Sequence, residues 1–442
     1  YGDTVIMATI VQSKNIREGI DYFPLMVDFE EKLYAAGRIK GSRFIKREGR
    51  PTDEAILSGR LIDRAIRPLF DERVRNDVQV VITSLCVDGA NDATITGLIA
   101  ASCAIHMSSV PWAGPIGAAR IGRINGELVL NITAEKLSRG TTRDPDFTSG
   151  EKNESDLDLI VAGTPDKLIM VEAGAKEVSE DDMYSAIKWG CGQLQPVIDL
   201  IEKVRAEVGS EKMDVLALRS FSEEGEEKVR QEVRKFVADS AETMIFDSVK
   251  ITRKERQEMV YKIEAAAVAL LTEKGYDKET HKVGLKNIKQ YVAEQITKRI
   301  LEKDERLDGR KLTEIRELQT EIDLLPRTHG SAMFMRGDTQ VLSVVTLGSP
   351  GDVQTLDSME QVGTKRYMHH YNDAPFAYGE AGMMRGPGRR AIGHGALAER
   401  ALEPVLPSAE DFPYAMRVVS EVFGSNGSSS MASTCGSTLA LM

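Results

Sequence analysis

Cysteine is scarce in this sequence. Its 442 residues hold four (Cys86, Cys103, Cys191 and Cys435), none in CxxC spacing, so neither a zinc cradle nor a disulfide framework is indicated. No apolar run approaches the roughly 18 residues that suggest a membrane span. Positive charge is in deficit. The net charge of −11 excludes a protein that coats nucleic acid indiscriminately. No Ser-His or Cys-His arrangement for nucleophilic catalysis stands out. An initiator methionine is also lacking: the sequence opens at Tyr1 in TVIMATIV, which reads as the middle of a strand, and stops at Met442 in an apolar helical pattern. Both ends are expected to be those of a fragment, from which a targeting signal could have been lost. What remains is a globular composition, 42% hydrophobic and 28% charged, in a reducing, cytoplasmic setting. The length suits two or three domains.

The charge is uneven. From Arg38 to Arg75 there are eleven Lys or Arg residues against six acids, a local excess of five on an acidic body. Such a patch suits a protein that admits a polyanion at one place. A solvated helix face laced with i,i+4 ion pairs would give the same count.

The sequence also repeats itself. YGDTVIMATIV at the start matches RGDTQVLSVVT from Arg336, and RLIDRAIRPLF from Arg60 matches ALAERALEPVL from Ala396. Gly2 pairs with Gly337 and Arg64 with Arg400, offsets of 335 and 336, so a domain has been duplicated. In the first copy LDLIVAG alternates as a strand, with Leu157, Leu159 and Val161 on one face. A helix follows, with Ser179 as cap, Asp182 at the capping-box position and Met183, Ile187, Leu194, Ile198 and Ile201 as its stripe. Pro196 should kink or divide it. From Leu218 to Leu301 helical period takes over. Its stripes are Val229/Val233/Phe236/Val237, Met259/Ile263/Ala267/Leu270 and Leu285/Ile288/Val292/Ile296, with Gly275 in a break. The expected architecture is α+β: a first core over 1–210, an all-helical joining domain over 211–301 and a second core over 302–442.

SNGSSSMAS, Ser425 to Ser433, carries the densest chemistry. Ser428, Ser429 and Ser430 stand at a predicted helix N-terminus, where hydroxyls and free amides can bind phosphate. Ordinary capping would need one of them. RGPGRRAIGHGALAER adds Arg389, Arg390 and Arg400, planar forks suited to phosphate oxygens, with His394 among them. Together the two segments suggest two walls of one anion pocket. In the first copy the offset sets Asp92, Ala93 and Thr94 against the three serines, and Gly49-Arg50-Pro51 reads as the counterpart of Gly388-Arg389-Arg390 with one arginine lost. The first copy is therefore expected to have given up the phosphate site. It retains RFIKREGR, in which a base can stack on Phe44 while Lys46, Arg47 and Arg50 hold the backbone of single-stranded nucleic acid. A structural Phe with solvated charges is the alternative. Asp156 and Asp158 lie on one strand face as candidate metal ligands, although two carboxylates seldom complete an oxygen shell.

The order of these motifs resembles the bacterial polynucleotide phosphorylases. They run YGDT, YAAGRIKGSRFIKREGRP, RLIDRAIRPLF, WAGPIGAARIG, LIVAGT, RTHGSAMFMRGDTQ, HHYNDAPFAYGEAG, GRRAIGHGALAERAL and RVVSEVFGSNGSSSMAS. The resemblance implies two RNase PH-like cores around a helical domain, with three identical chains forming a ring around an RNA channel. It implies 3′-to-5′ phosphorolysis of RNA to nucleoside diphosphates, in mRNA degradation and reversible. It also implies inorganic phosphate as co-substrate, and RNA-degradation complexes as partners. It also implies two small C-terminal RNA-binding modules, a KH and an OB-fold type, which residues 1–442 are expected to lack. The resemblance assigns phosphate binding to Ser429 and Ser430, helped by Arg389, Arg390, His394 and Arg400. The family's RNA loop reads FFRR or FFKR; here Phe44-Ile45-Lys46-Arg47 lacks one ring. The aspartates that hold Mg²⁺ in the family fall beyond Met442, so residues 1–442 alone are expected to bind phosphate without turnover. A non-catalytic RNA-binding ring subunit is the competing expectation.

Overall fold

The computed structural model describes all residues except 18, 19, 21, 42–45, 72, 73, 134, 135, 138–154, 215–222 and 361. Both copies are built on one three-strand motif. In the first, Val5–Ile16 runs antiparallel to Asn76–Cys86, which is parallel to Leu25–Glu30. In the second, Thr339–Gly348 runs antiparallel to Ala415–Gly424, which is parallel to Tyr367–Asn372. Gly330–Arg336 and Leu318–Ile322 extend the second sheet beyond Thr339–Gly348. The β-branched alternation of these segments suits half-buried strands, and alternate residues of Asn76–Cys86 are buried.

Two helices pack on each motif: Asp53–Ile66 and Ala93–Met107 in the first copy, Arg389–Leu402 and Ser429–Leu441 in the second. Corresponding helices begin 336 residues apart in both cases. That register corrects one sequence pairing. Gly49-Arg50-Pro51 precedes the helix, and the structural counterparts of Arg389 and Arg390 are Asp53 and Glu54. The caps, Thr52 and Gly388, fix the alignment. This helix end has therefore reversed its charge between copies, rather than lost one arginine.

The first copy also holds a four-stranded antiparallel sheet in the order Glu127–Leu130, Gly117–Ile124, Leu157–Gly163, Leu168–Ala175. Leu157, Leu159 and Val161 share one core, as the alternation predicts, and Ile160 and Ala162 enter another on the opposite face. Ser179 caps Glu180–Gly192, accepting from the Asp182 amide. The Asp182 carboxylate does not complete a capping box; it pairs with Arg123 at 2.8 Å. Pro196 stands in the first turn of a separate helix, Gln195–Val208.

The segment rich in helical period folds as helices Glu223–Asp239, Ala241–Met244, Arg253–Glu273, Lys278–Leu285 and Ile288–Lys303 around their own core. Val233, Ile263, Ala267 and Val292 are buried there. Leu271, four residues after Ala267, takes the core place that the sequence reading gave to Leu270. Gly275, at φ +79°, turns the chain between two of these helices.

One duplicated glycine sets helix-to-sheet distance in both copies. A Cβ on Gly59 would lie 3.3 Å from the Val27 carbonyl, and one on Gly395 would lie 2.9 Å from the His369 carbonyl. Backbone on both sides cannot yield as a side chain can. Gly395→Ala is expected to lower stability. The overpacking cost of about 1–3 kcal/mol exceeds the ~1 kcal/mol that alanine gains in helix propensity. Gly388→Ala, where a Cβ meets nothing within 4 Å, should cost no more than the ~1 kcal/mol that separates glycine from alanine at a cap, and denaturant midpoints of the two variants make the comparison.

Candidate functional site

The serine helix starts without a cap. Gly427 (φ +86°) and Ser428 (φ +55°) are both left-handed, so the chain turns sharply into Ser429–Leu441, and no side chain caps the Ser428 position. The turn is held from outside. The Asn426 amide donates to Thr339 Oγ1 at 3.1 Å, and Arg316 donates to the Asn426 carbonyl at 3.2 Å. The amides of Ser429, Ser430 and Met431 belong to the first turn, which has no intrahelical acceptors. Among the described residues nothing else takes their place. Ser429 and Ser430 are buried. The end is an uncapped helix N-terminus with the positive end of the helix dipole behind it, a geometry that suits an anion.

Part of the expected second wall converges on it. Tyr371, from Tyr367–Asn372, shares a 2.7 Å hydrogen bond with Ser429 Oγ. Its ring stacks on His394, centroids 4.9 Å apart. Arg390 Nε donates to His394 Nε2 at 3.2 Å, and its guanidinium lies 4.8 Å over the Tyr378 ring. Tyr378 donates to Asp373 at 2.7 Å, and Arg390 Nε lies 3.8 Å from the same carboxylate oxygen. Burial, with Arg390 nearby, pushes the His394 imidazole below its ordinary range, so it is the neutral acceptor that orients Arg390. Burial pushes the Tyr371 phenol up.

A buried polar cluster beneath fixes the helix on the sheet. His369 Nε2 meets Ser420 Oγ at 3.0 Å, Ser420 meets Ser343 at 2.9 Å, and Ser437 of the serine helix donates to Ser343 at 3.2 Å. Burial holds His369 down at about 4, so the cluster is neutral and adds no charge to the anion site.

Arg389 and Arg400 are not brought to the serine helix. Arg389 crosses to the first copy, where it donates to Asp28 at 3.0 Å and to the Val27 carbonyl at 2.5 Å. Arg400 and its duplicate Arg64 grip opposite oxygens of Glu172, at 2.5 and 2.8 Å. The basic stretch of the first copy divides in the same way. Arg38 donates to the carbonyls of Ser358 and Met359, and Arg67 pairs with Asp63 one turn earlier. Phe44 lies outside the described residues. Lys46, Arg47 and Arg50 are exposed, with Lys46 donating to the Lys40 carbonyl.

The corresponding helix end in the first copy is filled from within. Asp92 caps Ala93–Met107, accepting from the amides of Thr94 at 2.7 Å and Ile95 at 2.9 Å. Glu360, reaching from the second copy, accepts from the Ala93 amide at 3.1 Å. Buried Arg120 bridges Asp92 and Asp158. Asp158 is thus held by Arg120, and Asp156 binds Arg123 through both oxygens. Neither is free to ligate a metal, and among the described residues no group of three or more His, Cys, Asp or Glu could hold one.

Sequence reasoning passed over Tyr371, Asp373 and Tyr378 as site residues, although HHYNDAPFAYGEAG was among the family motifs. The signal was present: two tyrosines and an aspartate in eight residues, between a strand and a glycine turn.

Comparison with known proteins follows the same division. The 3′ exoribonuclease family, domain 1, matches residues 1–111 and 314–442, and domain 2 of that family matches residues 114–193. Polyribonucleotide nucleotidyltransferase of Heliobacterium modesticaldum is 47% identical over the whole chain, that of Alkaliphilus oremlandii 46%, and that of Dehalococcoides mccartyi 45%. The chain spans 58–59% of the length of these relatives. A crystal structure of rice (Oryza sativa) Rrp46 is 14% identical, with a TM-score of 0.36 over 46% of this chain and 85% of that one; a score that low carries no argument.

The filled helix end makes a pH prediction. Burial and the neighbouring Asp92 charge push Glu360 from its ordinary 4.5 up to about 7. Between those values the folded state holds a proton that the unfolded state has released, so stability falls as pH rises through the window. Glu360→Gln, which keeps the oxygen facing the Ala93 amide, should remove that fall. Denaturant midpoints from pH 5 to 8 test it: the variant's advantage should grow with pH, and parallel profiles would assign the slope to other groups.

Proposed function

The chain belongs to the 3′ exoribonuclease family, and on that premise we propose that it shortens single-stranded RNA from the 3′ end with inorganic phosphate, releasing nucleoside diphosphates. One observation carries the reading. The serine helix end is uncapped in the second copy and linked through Tyr371 and His394 to Arg390, whereas the duplicate end is filled by Asp92 and Glu360. Hydrolysis, with water as nucleophile, would have no use for an anion site kept open in this way.

In this reading phosphate sits on the amides of Ser429, Ser430 and Met431, with Arg390 at its flank. One of its oxygens attacks the terminal phosphodiester in line. The new P–O–P bond forms as the bond to the 3′ oxygen of the shortened chain breaks, and that oxygen leaves as a hydroxyl, taking up the proton that the attacking hydrogen phosphate gives up. Both reactants are anions. The fixed amides and the guanidinium offset their repulsion and stabilise charge in the transition state. The product retains an anhydride bond, so the reverse reaction, polymerisation from diphosphates, is part of the proposal.

The family's Mg²⁺ finds no fitting ligand set among the described residues. Lys46, Arg47 and Arg50 are proposed to hold the backbone of long RNA. Assembly of three chains in a ring, a cytoplasmic setting and association with RNA-degradation complexes complete the proposal. A second reading, an RNA-binding ring subunit without catalysis, is favoured only for the first copy, because its helix end is filled.

Release of ADP from poly(A), measured with and without inorganic phosphate on the full-length protein, tests the function; AMP release independent of phosphate would overturn it. Combined Ser429→Ala and Ser430→Ala should raise the phosphate requirement by roughly tenfold or more, the scale of a lost hydrogen bond to a charged group. RNA binding should stay nearly intact. Replacing Lys46, Arg47 and Arg50 with Ala should weaken binding of long RNA and flatten its salt dependence, by about 0.7 in log–log slope per lost contact. Very short RNA should be turned over almost as before. Equal losses on long and short RNA would indicate a folding role for the three.

A further inference from the structure

We propose that Asp373 is a built-in competitor of phosphate: it is the counter-ion of Arg390 when the serine helix end is empty and sets how tightly that end holds an anion. The inference rests on the phosphate-binding reading above and deepens it. Asp373 follows directly on the strand that carries Tyr371, and its side chain is only 13% exposed. Tyr378 fixes one carboxylate oxygen with a 2.7 Å hydrogen bond, so the carboxylate is a stationary charge. Arg390 is the adjustable partner. Its side chain is 52% exposed, its Nε lies 3.8 Å from Asp373, and among the described residues it is steadied by His394 and the face of Tyr378. A separation of 3.8 Å is an ion pair without a close hydrogen bond, an arrangement from which Arg390 can swing toward an arriving anion.

An anion on the serine amides must draw Arg390 away from Asp373 or bind beside an uncompensated carboxylate. Either way Asp373 opposes it, and the opposition is strong where water is partly excluded. The benefit is exchange. Arg390 is never left as a lone positive charge for an RNA phosphate to occupy permanently, and the departing product is replaced by a group already in place.

Asp373 is a positioning residue, and removing it has a direction that loss of a structural contact lacks. Asp373→Asn keeps the shape and can still accept from Tyr378. In the full-length protein it should tighten binding of inorganic phosphate by ~10-fold, the effect of removing one nearby like charge. Phosphate KM should fall by the same factor, with kcat unchanged or lower. Phosphate titrations followed by ³¹P line broadening give the affinity directly, with Asp373→Ser as a second variant and Ser429→Ala/Ser430→Ala as reference. Unchanged or weaker phosphate binding in both Asp373 variants, with binding weakened roughly tenfold or more in the serine variant, would overturn this inference and leave the function standing. Phosphate binding as tight in the serine variant as in the parent protein would instead remove the phosphate site on which both rest.

Discussion

The amides that open an α-helix have no partners within it, and how each copy of the duplicated domain meets that demand decides what the copy can do. In the first copy Asp92 caps the helix through two amides and Glu360 takes a third. Arg120 balances the carboxylates from beneath. In the second copy the chain turns into the helix through two left-handed residues and offers no cap. Both ends attract negative charge equally by their dipoles. A carboxylate tethered to the chain satisfies that attraction permanently, and an open end satisfies it only by taking a ligand.

The two copies are also joined by charges that a sequence reading would assign to ligands. Arg389 reaches Asp28, Arg64 and Arg400 share Glu172, and Arg38 holds the carbonyls of Ser358 and Met359. Met359 itself is buried in the core of the first copy. Half-buried arginines of this kind are held because leaving one unpaired is costly. The segment that delivers Met359 also delivers Glu360, so one stretch of chain both fills the first helix end and packs into the first copy's core.

Much of this was legible in the sequence. The repeat, the helical segment and the run of serines at a helix N-terminus were readable because they rest on local periodicity and spacing; that no side chain caps that helix was not. The replacement of serines by Asp92 followed from a constant offset. The long-range partners were not readable. Arg389 and Asp28 are 361 residues apart, and nothing local distinguishes an arginine that will meet a phosphate from one that will meet a carboxylate across an interface. The pairing of Gly49-Arg50-Pro51 with Gly388-Arg389-Arg390 failed because a loop of different length precedes each helix, and only the caps reveal the register. Tyr371 and Asp373 were hidden for another reason. Their role depends on the ring stack with His394 and on the position of Arg390, which belong to a different element.

The same theme distinguishes the two carboxylates that stand near the duplicated helix ends. Asp92 lies on the amides themselves, so it replaces a ligand outright. Asp373 lies on the arginine beside the amides and leaves the amides bare. A carboxylate in the first position closes a site; in the second it leaves the site open and moderates it. Neither outcome needs a change of fold, since both follow from where one acidic side chain is attached relative to a helix that begins at the same point in each copy. Duplication supplies the helix end twice, and the placement of acidic side chains separates an end filled by Asp92 and Glu360 from one whose amides stay bare.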